Sequence, residues 1–328
     1  AAHDLRTGQR IWTRFLDNSA MTSPVALDSL VVFGTAKGDV TGADKNTGET
    51  RWERHLPGNL VMGPPLLSGD TAIVPLDPRG MCALDGRDGT VHWCTRLPPY
   101  AGSVGHISPA LHDGRIVGTF QTFPRDLPAA LRVPFPLALR AAWQVLTDPE
   151  SAWAYHTAFA LGSHTGRLLW THRLDVGACC LLPAQLGHVA GSPTWVGADS
   201  SLVLVSPTAD RGYRLDEETG DILARSEPIP IFPRGPALVV NSTVIAVDRQ
   251  GAIHILEVDD LHERCAVPLG EPVDRAGPTL AEGALLIAGR EGGLYSIPLN
   301  DVLRCDPALS DRIARLRREH RPEPRPDS

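Results

Sequence analysis

Residues 43–52 read Ala-Asp-Lys-Asn-Thr-Gly-Glu-Thr-Arg-Trp, and the fold of this 328-residue chain follows from how often that stretch returns. An acidic residue, a Gly four positions on and a Trp eight positions on occur as Asp4/Gly8/Trp12, Asp44/Gly48/Trp52 and Asp85/Gly89/Trp93. Gly162/Gly166/Trp170 keeps the turn and the ring without the acid, and Asp216/Gly220/Ala224 keeps the acid and the turn without the ring. By Glu257/Leu261/Cys265 only the spacing is left. A second mark, a small residue followed by Pro ahead of an apolar run, appears at Ser23-Pro24, Gly63-Pro64, Ser108-Pro109, Ser192-Pro193, Gly235-Pro236 and Gly277-Pro278. Pro loses no ladder hydrogen bond at the first residue of a strand, so these marks read as six strand openers.

From Pro24 to His55 the chain alternates short apolar runs with turn chemistry at Asp28-Ser29, Lys37-Gly38 and Asn46-Thr47-Gly48. That is the pattern of a four-stranded antiparallel meander. Meanders returning at a period of roughly 40 residues predict an all-β propeller of four-stranded antiparallel blades. Six blades are visible, alone or as part of a seven- or eight-bladed ring. The step from Asp85 to Gly162 is nearly twice the period, and its excess lies in the Pro-rich segment 119–154. No opener falls inside it, so it reads as an insertion, with Leu137 to Leu146 as a short apolar helix. The propeller is expected over 1–305, and 306–328 as a polar helix near 311–318 followed by an unstructured Pro-rich tail. Residues 9–17 are expected to supply the fourth strand of the last blade and so close the ring.

The net charge of -7 is spread without long blocks of one sign, which gives no footprint for nucleic acid. No apolar run approaches the roughly 20 residues of a transmembrane helix. Cys82 and Cys94 lie symmetrically about the Asp85–Gly89 turn and are expected to face each other as a disulfide across a hairpin. Cys179 and Cys180 are adjacent and form a second candidate pair. An even count of six cysteines with plausible pairs points to an extracytoplasmic chain, periplasmic or secreted. The start at Ala1 reads as a processed chain or a fragment.

The recurring corner resembles the PQQ-like β-propeller repeat, whose hallmark is Ala-x-Asp-x-x-Thr-Gly-x-x-x-Trp. Ala43, Asp44, Thr47, Gly48 and Trp52 match in full, and the Asp85 copy departs only where Asp88 replaces the Thr. The resemblance covers roughly 1–305 apart from the insertion. It implies that Gly8, Gly48, Gly89 and Gly166 permit the turn, and that Trp12, Trp52, Trp93 and Trp170 dock one blade on the next. Where the ring is absent, at Ala224 and Cys265, the joints are expected to be packed differently.

Among such propellers the chain is similar to that of the outer-membrane β-barrel assembly machinery, which implies a non-catalytic scaffold with protein partners and no cofactor. Two other readings stay open. One is a quinoprotein dehydrogenase using PQQ and calcium, since PQQ-dependent alcohol dehydrogenases carry an adjacent-cysteine disulfide that Cys179-Cys180 resembles. The other is an extracytoplasmic sensor propeller of a kinase-linked protein.

Common catalytic motifs are missing from the sequence, and no catalytic, cofactor or metal residue is assigned. In an up-and-down blade the loop into the first strand and the loop between strands two and three share one face, opposite the Thr-Gly corners. The first-strand loops carry Met21, Met62, His106, His188, Arg234 and Arg275, and the insertion emerges beside them. His106, His188, Arg234 and Arg275 are therefore the candidate binding face, with the arginines suited to an acidic group.

Overall fold

The structure is a computed structural model, and it describes residues 2–4, 7, 9–16, 24–56, 65–76, 80–97, 109–122, 155–176, 194–196, 201–206, 211–229, 237–273, 277–291 and 293–319. They fall into two compact units, Ala1–Val189 with Glu218–Gly220, and Ala190–Glu217 with Asp221–Ser328.

The first unit opens on a hairpin, β1 (Ala2–His3) with β2 (Arg10–Trp12). Three meanders follow. They are β3 (Val25–Leu27), β4 (Leu30–Gly34), β5 (Asp39–Asp44) and β6 (Thr50–His55); β7 (Leu66–Ser68), β8 (Thr71–Leu76), β9 (Gly80–Asp85) and β10 (Val91–Arg96); and β11 (Ala110–His112), β12 (Arg115–Thr122), β13 (Tyr155–Gly162) and β14 (Leu168–Val176). The second unit holds β15 (Thr194–Val196), β16 (Ser201–Ser206), β17 (Arg211–Asp216) and β18 (Ile222–Arg225), then β19 (Leu238–Val240), β20 (Thr243–Val247), β21 (Ala252–Glu257) and β22 (Glu263–Pro268). It ends with a three-stranded sheet, β23 (Thr279–Ala281), β24 (Ala284–Ala288) and β25 (Leu294–Pro298), and two helices, α1 (Leu299–Leu303) and α2 (Leu309–Glu319). All neighbouring strands are antiparallel and consecutive in sequence, the up-and-down order of propeller blades. Strands β3, β11 and β23 each begin directly after Pro24, Pro109 and Pro278.

The core lies between sheets rather than within them. Leu27, Val32 and Trp52 of the first meander pack with Val74, Cys82 and Leu84 of the second. Ile73 and Met81 of the second pack with Ile116, Phe159 and Leu161 of the third. In the second unit Val203 packs with Val244 and Leu256, and Ile245 and Ile255 pack with Leu285 and Ile287.

Each corner explains its own residues. Asp44 Oδ1 accepts the N–H groups of Asn46 at 2.9 Å and Thr47 at 3.1 Å, and Asp85 Oδ1 accepts that of Arg87 at 2.8 Å, so the acid caps the turn. The Gly closes it in the left-handed region, at φ 75° for Gly48 and 74° for Gly89. The indole of the preceding outer strand then occupies the space where a Cβ would stand. Trp12 covers Gly48, Trp52 covers Gly89, Trp93 covers Gly166 and Trp170 covers Gly220. Three of these rings also donate Nε1–H to a corner carbonyl: Trp12 to Lys45, Trp52 to Gly86 and Trp93 to Ser163. Gly8 lies outside the described residues.

Where the ring is missing, the joint is rebuilt. Leu261 holds the glycine position at φ 58°, its N–H bonded to Glu257 O at 3.0 Å as Gly48 N–H is to Asp44 O. It is buried, and Ala224 packs on its cluster, so the volume lost from one side of the joint is supplied from the other. Arg214, opposite Ala224 in the ladder, stands where the ring-bearing joints have Gly42, Ala83 and Ala160. Its Nη1 donates to Asp259 O at 3.0 Å, replacing the indole's bond to a corner carbonyl. At the next joint Cys265 occupies the ring position and is bonded to Cys305, 40 residues away.

Two expectations are corrected. Residues 119–122 belong to β12, because Thr119 to Thr122 pair with Ala158 to Tyr155 in unbroken register. The inserted residues 123–154, including the expected helix at 137–146, lie outside the described residues. Residues 10–12 pair with Ala2 and His3 rather than completing the last sheet, since Asp4 Oδ1 caps the turn at Thr7 N–H and a short local loop closes at small entropic cost. The last sheet has three strands, and its chain turns into α1 where the other sheets have a corner. The helix expected near 311–318 spans Leu309–Glu319, and Leu309 and Ile313 are buried against Val267, Leu285 and Ile297.

The rebuilt joint makes a quantitative prediction. Ala224→Trp alone overpacks against Arg214 and Leu261 and destabilises by about 1–3 kcal/mol. Combined with Arg214→Ala and Leu261→Gly it recreates the indole-glycine contact and recovers most of that loss, a coupling above about 1 kcal/mol in urea titrations. Strict additivity would show that the three residues do not form one joint.

Candidate functional site

The four residues expected to bind, His106, His188, Arg234 and Arg275, lie outside the described residues, as do Met21, Met62 and the Cys179-Cys180 pair. The described parts of the same face are the strand-two to strand-three turns and the segments that follow the outer strands. The opposite, corner face is described more fully.

On the corner face, between the first two meanders, a hollow of about 400 Å³ is lined by Leu27, Asp28, Ser29, Leu30, Asp44, Arg51, Asp70 and Arg87. Its charges are largely matched within its walls. Arg51 meets Asp44 at 2.9 Å and Arg87 meets Asp70. The Arg51 hydrogen bond, helped by the N–H groups of Asn46 and Thr47, holds the Asp44 carboxyl below its ordinary range. Such exposed pairs fix the turns but add little stability.

The best-organised polar cluster sits in the fifth meander. His254 lies among Ile253, Ile255 and Leu256 on β21 and is 7% exposed. Its Nε2 faces Asp248 Oδ2 at 3.1 Å and its Nδ1 faces Glu263 Oε1 at 2.7 Å. Asp248 also accepts the Ala252 N–H at 2.8 Å. Burial disfavours the imidazolium, but hydrogen bonds and charge from the two carboxylates outweigh it and raise the His254 pKa. Burial likewise works against the Asp248 carboxylate, and the bonds from His254 and Ala252 overcome it, so its pKa is lowered. With one carboxylate on each nitrogen, only the imidazolium donates to both. The ring separates the carboxylates instead of sharing a centre with them, and among the described residues no group of His, Cys, Asp and Glu is placed to hold a metal.

A second cluster gathers after β22, on the expected binding face. Glu271 is buried, and its Oε1 has no hydrogen-bond partner among the described residues. Gly289 and Gly293 leave room for that carboxylate, since a Cβ on either would collide with it. Burial and the adjacent Glu271 push the Tyr295 hydroxyl up to about 12. Arg317 of α2 reaches toward Glu271 Oε2 at 3.8 Å and Glu291 Oε2 at 3.3 Å, and donates to Gly270 O. The carboxylate itself fills the glycine cradle.

Both disulfides among the described residues are of the kind built in an oxidising compartment. Cys82 and Cys94 stand directly opposite in the β9–β10 ladder, Cα atoms 4.1 Å apart, as their symmetry about the turn implies. The Cys265–Cys305 bond was not legible from spacing. No helix among the described residues is long and apolar enough to cross a membrane.

Comparison with known proteins follows the same lines. Residues 1–127 match the family described as outer membrane protein assembly factor BamB. BamB of Xanthomonas campestris pv. campestris is 24% identical over 345 residues, spanning 91% of this chain and 76% of that protein. The tetrathionate hydrolase of Acidianus ambivalens is 31% identical over 127 residues, but the match spans 34% of this chain and only 23% of the hydrolase. Among solved structures, BamB from Moraxella catarrhalis aligns with a TM-score of 0.59 at 18% identity, covering 88% of this chain and 77% of that one. Quinohemoprotein alcohol dehydrogenase from Comamonas testosteroni aligns at 0.53 and 12% identity, with 85% and 46% covered. At these identities the structural likenesses show the fold alone.

The His254 cluster sets the pH response of stability. A raised histidine pKa means its contribution is whole below the unfolded value of about 6.5 and is lost as pH rises through the folded value. A lowered Asp248 pKa means its contribution is whole above about 3.9 and is lost as pH falls through the folded value. The melting temperature is therefore expected to plateau in mildly acidic solution and decline on the alkaline side. His254→Gln should reduce the unfolding free energy on the plateau by about 3 kcal/mol and remove the histidine's part of that decline. Equal alkaline slopes for both proteins would refute the assignment.

Proposed function

We propose that this chain, a PQQ-like repeat propeller of the BamB type, is a non-catalytic scaffold that binds other proteins during outer-membrane protein assembly in the cell envelope. The observation that carries this reading is coverage. Similarity to the assembly factor runs over 91% of the chain and 76% of the relative, whereas the hydrolase and the quinohemoprotein dehydrogenase are matched over 23% and 46% of their lengths. Those enzymes share the repeat and leave most of their own chains unmatched.

The described polar groups are consistent with a scaffold. Asp44, Asp248 and His254 are each engaged by neighbouring groups of the fold, and the Glu271 carboxyl lies enclosed in its glycine cradle. On this reading the working surface is the face of the strand-two to strand-three loops, with the insertion at 123–154 and the arginines Arg234 and Arg275 offering contacts to an acidic patch on the partner.

The test uses the whole chain, immobilised and exposed to detergent-solubilised envelopes, with bound proteins identified by mass spectrometry. Components of the β-barrel assembly machinery should be enriched, and Arg234→Glu with Arg275→Glu should cut their capture about tenfold. No enrichment of assembly components would count against the reading. So would a quinone absorbance band together with a thermal shift on adding PQQ and calcium, which would favour the dehydrogenase class instead.

A further inference from the structure

The joint between the fifth and sixth sheets differs in kind from the others. Elsewhere the residue at the ring position packs against the next corner without a covalent bond, and here Cys265 is bonded to Cys305. What the bond holds is a helical segment. After β25 the chain makes α1 in place of a corner, turns at Cys305, and returns as α2, whose Leu309 and Ile313 cover Val267, Leu285, Ile287 and Ile297 together with Val302 of α1.

We propose that the Cys265–Cys305 disulfide is a redox latch, whose reduction by a dithiol releases α1 and α2 from the fifth and sixth sheets and uncovers this apolar flank.

Three observations lead there. First, both cysteines are only half-buried, so a small dithiol reaches the bond without global unfolding. Second, Cys305 sits at φ 52°, a left-handed conformation at the position after a helix cap that a Gly would normally fill. The covalent tether keeps a side-chain-bearing residue there, and cutting it lets the turn relax into a conformation that moves α2. Third, the remaining polar ties divide into two groups. Arg312 to Asp301 and Asp306 joins the two helices to each other and travels with them. The ties back to the sheets are Leu299 N–H to Gly283 O at the start of α1, Arg264 to Leu303 O, and Arg317 to Gly270 O, Glu271 and Glu291, and among these side chains only Glu271 is buried. The disulfide is the covalent cross-link between the helix pair and the sheets.

The exchange is balanced. A thiolate of the dithiol adds to one Sγ and displaces the other cysteine as a thiolate, which takes a proton from solvent. The second thiol of the reductant then attacks the mixed disulfide, releases the first cysteine and closes the reductant's own disulfide. The reductant loses two electrons and the protein's S–S bond gains them.

Hydrogen exchange read by mass spectrometry on the full chain tests this, comparing the oxidised protein, the protein reduced with dithiothreitol, and Cys265→Ala/Cys305→Ala. Peptides within 299–319 should exchange about tenfold faster after reduction while β20 and β21 keep their protection. The double variant should show the same acceleration without reductant and no further change with it, and reoxidation of the natural chain should restore protection. Cys82→Ala/Cys94→Ala, which leaves the latch intact, should still respond to reductant over 299–319. Should the double variant fail to fold, the reduced natural chain alone decides. Free thiols at 265 and 305 with unchanged exchange over 299–319 would make the bond an inert staple. Resistance of the bond to the dithiol under native conditions would equally overturn the proposal.

Discussion

An indole laid over a glycine at φ near 75° is the contact on which the first unit depends. Each half of it is useless alone. Without a Cβ at Gly89 the Trp52 ring settles flat on the corner backbone and donates Nε1–H to Gly86 O, and any side chain there would meet the ring at 2.5 Å. Burying the ring contributes roughly 2–3 kcal/mol per joint. Because the core lies between consecutive sheets, that joint also sets the spacing at which Trp52 and Leu27 meet Val74 and Leu84. A repeat array of this sort is stabilised joint by joint, so a change in one contact is answered mainly by its immediate neighbours.

The second unit shows what can replace the contact. At one joint the requirement is met by redistribution: Leu261 adds volume where Ala224 removes it, and Arg214 takes over the hydrogen bond to the corner carbonyl. At the next it is met by a covalent bond through Cys265. Backbone hydrogen bonds of the repeat survive in both: Leu261 N–H reaches Glu257 O as Gly48 N–H reaches Asp44 O, and Leu299 N–H reaches Gly283 O as Val258 N–H reaches Ser242 O. The geometry of the joint outlasts the residues that first made it recognisable.

This is also why the sequence disclosed some features and concealed others. The meanders were readable because Asp44, Gly48 and Trp52 are local and redundant, so three clear copies outweigh the degenerate ones. The Cys82–Cys94 pair was readable because both residues belong to one hairpin and its turn fixes their register. Cys265 and Cys305 were not, because their approach depends on a helix replacing a corner, a change no repeat pattern announces. His254 lies outside the first-strand loops that point to His106 and His188. Its signal was present: a titratable residue among Ala252, Ile253, Ile255 and Leu256, on a strand where the register calls for an apolar side chain. The candidate binding face is a different case. The repeat places His106, His188, Arg234 and Arg275 in its first-strand loops, but those loops are where the repeats stop agreeing, so periodicity says nothing about what the four residues contact.

The two units therefore differ in what their stability responds to. Apart from the Cys82–Cys94 disulfide, the contacts that hold the first are mostly apolar area and backbone hydrogen bonds, neither of which changes with proton or thiol concentration over the physiological range. The second holds groups that do respond: an imidazolium between Asp248 and Glu263, and a disulfide where Cys265 takes the indole's place. Burying a paired charge gains little net free energy over burying an aliphatic side chain of the same volume. Retaining such groups in the last two sheets gives no advantage in stability, but it places the Cys265–Cys305 bond and the Glu271–Arg317 contact beside the helices that end the chain.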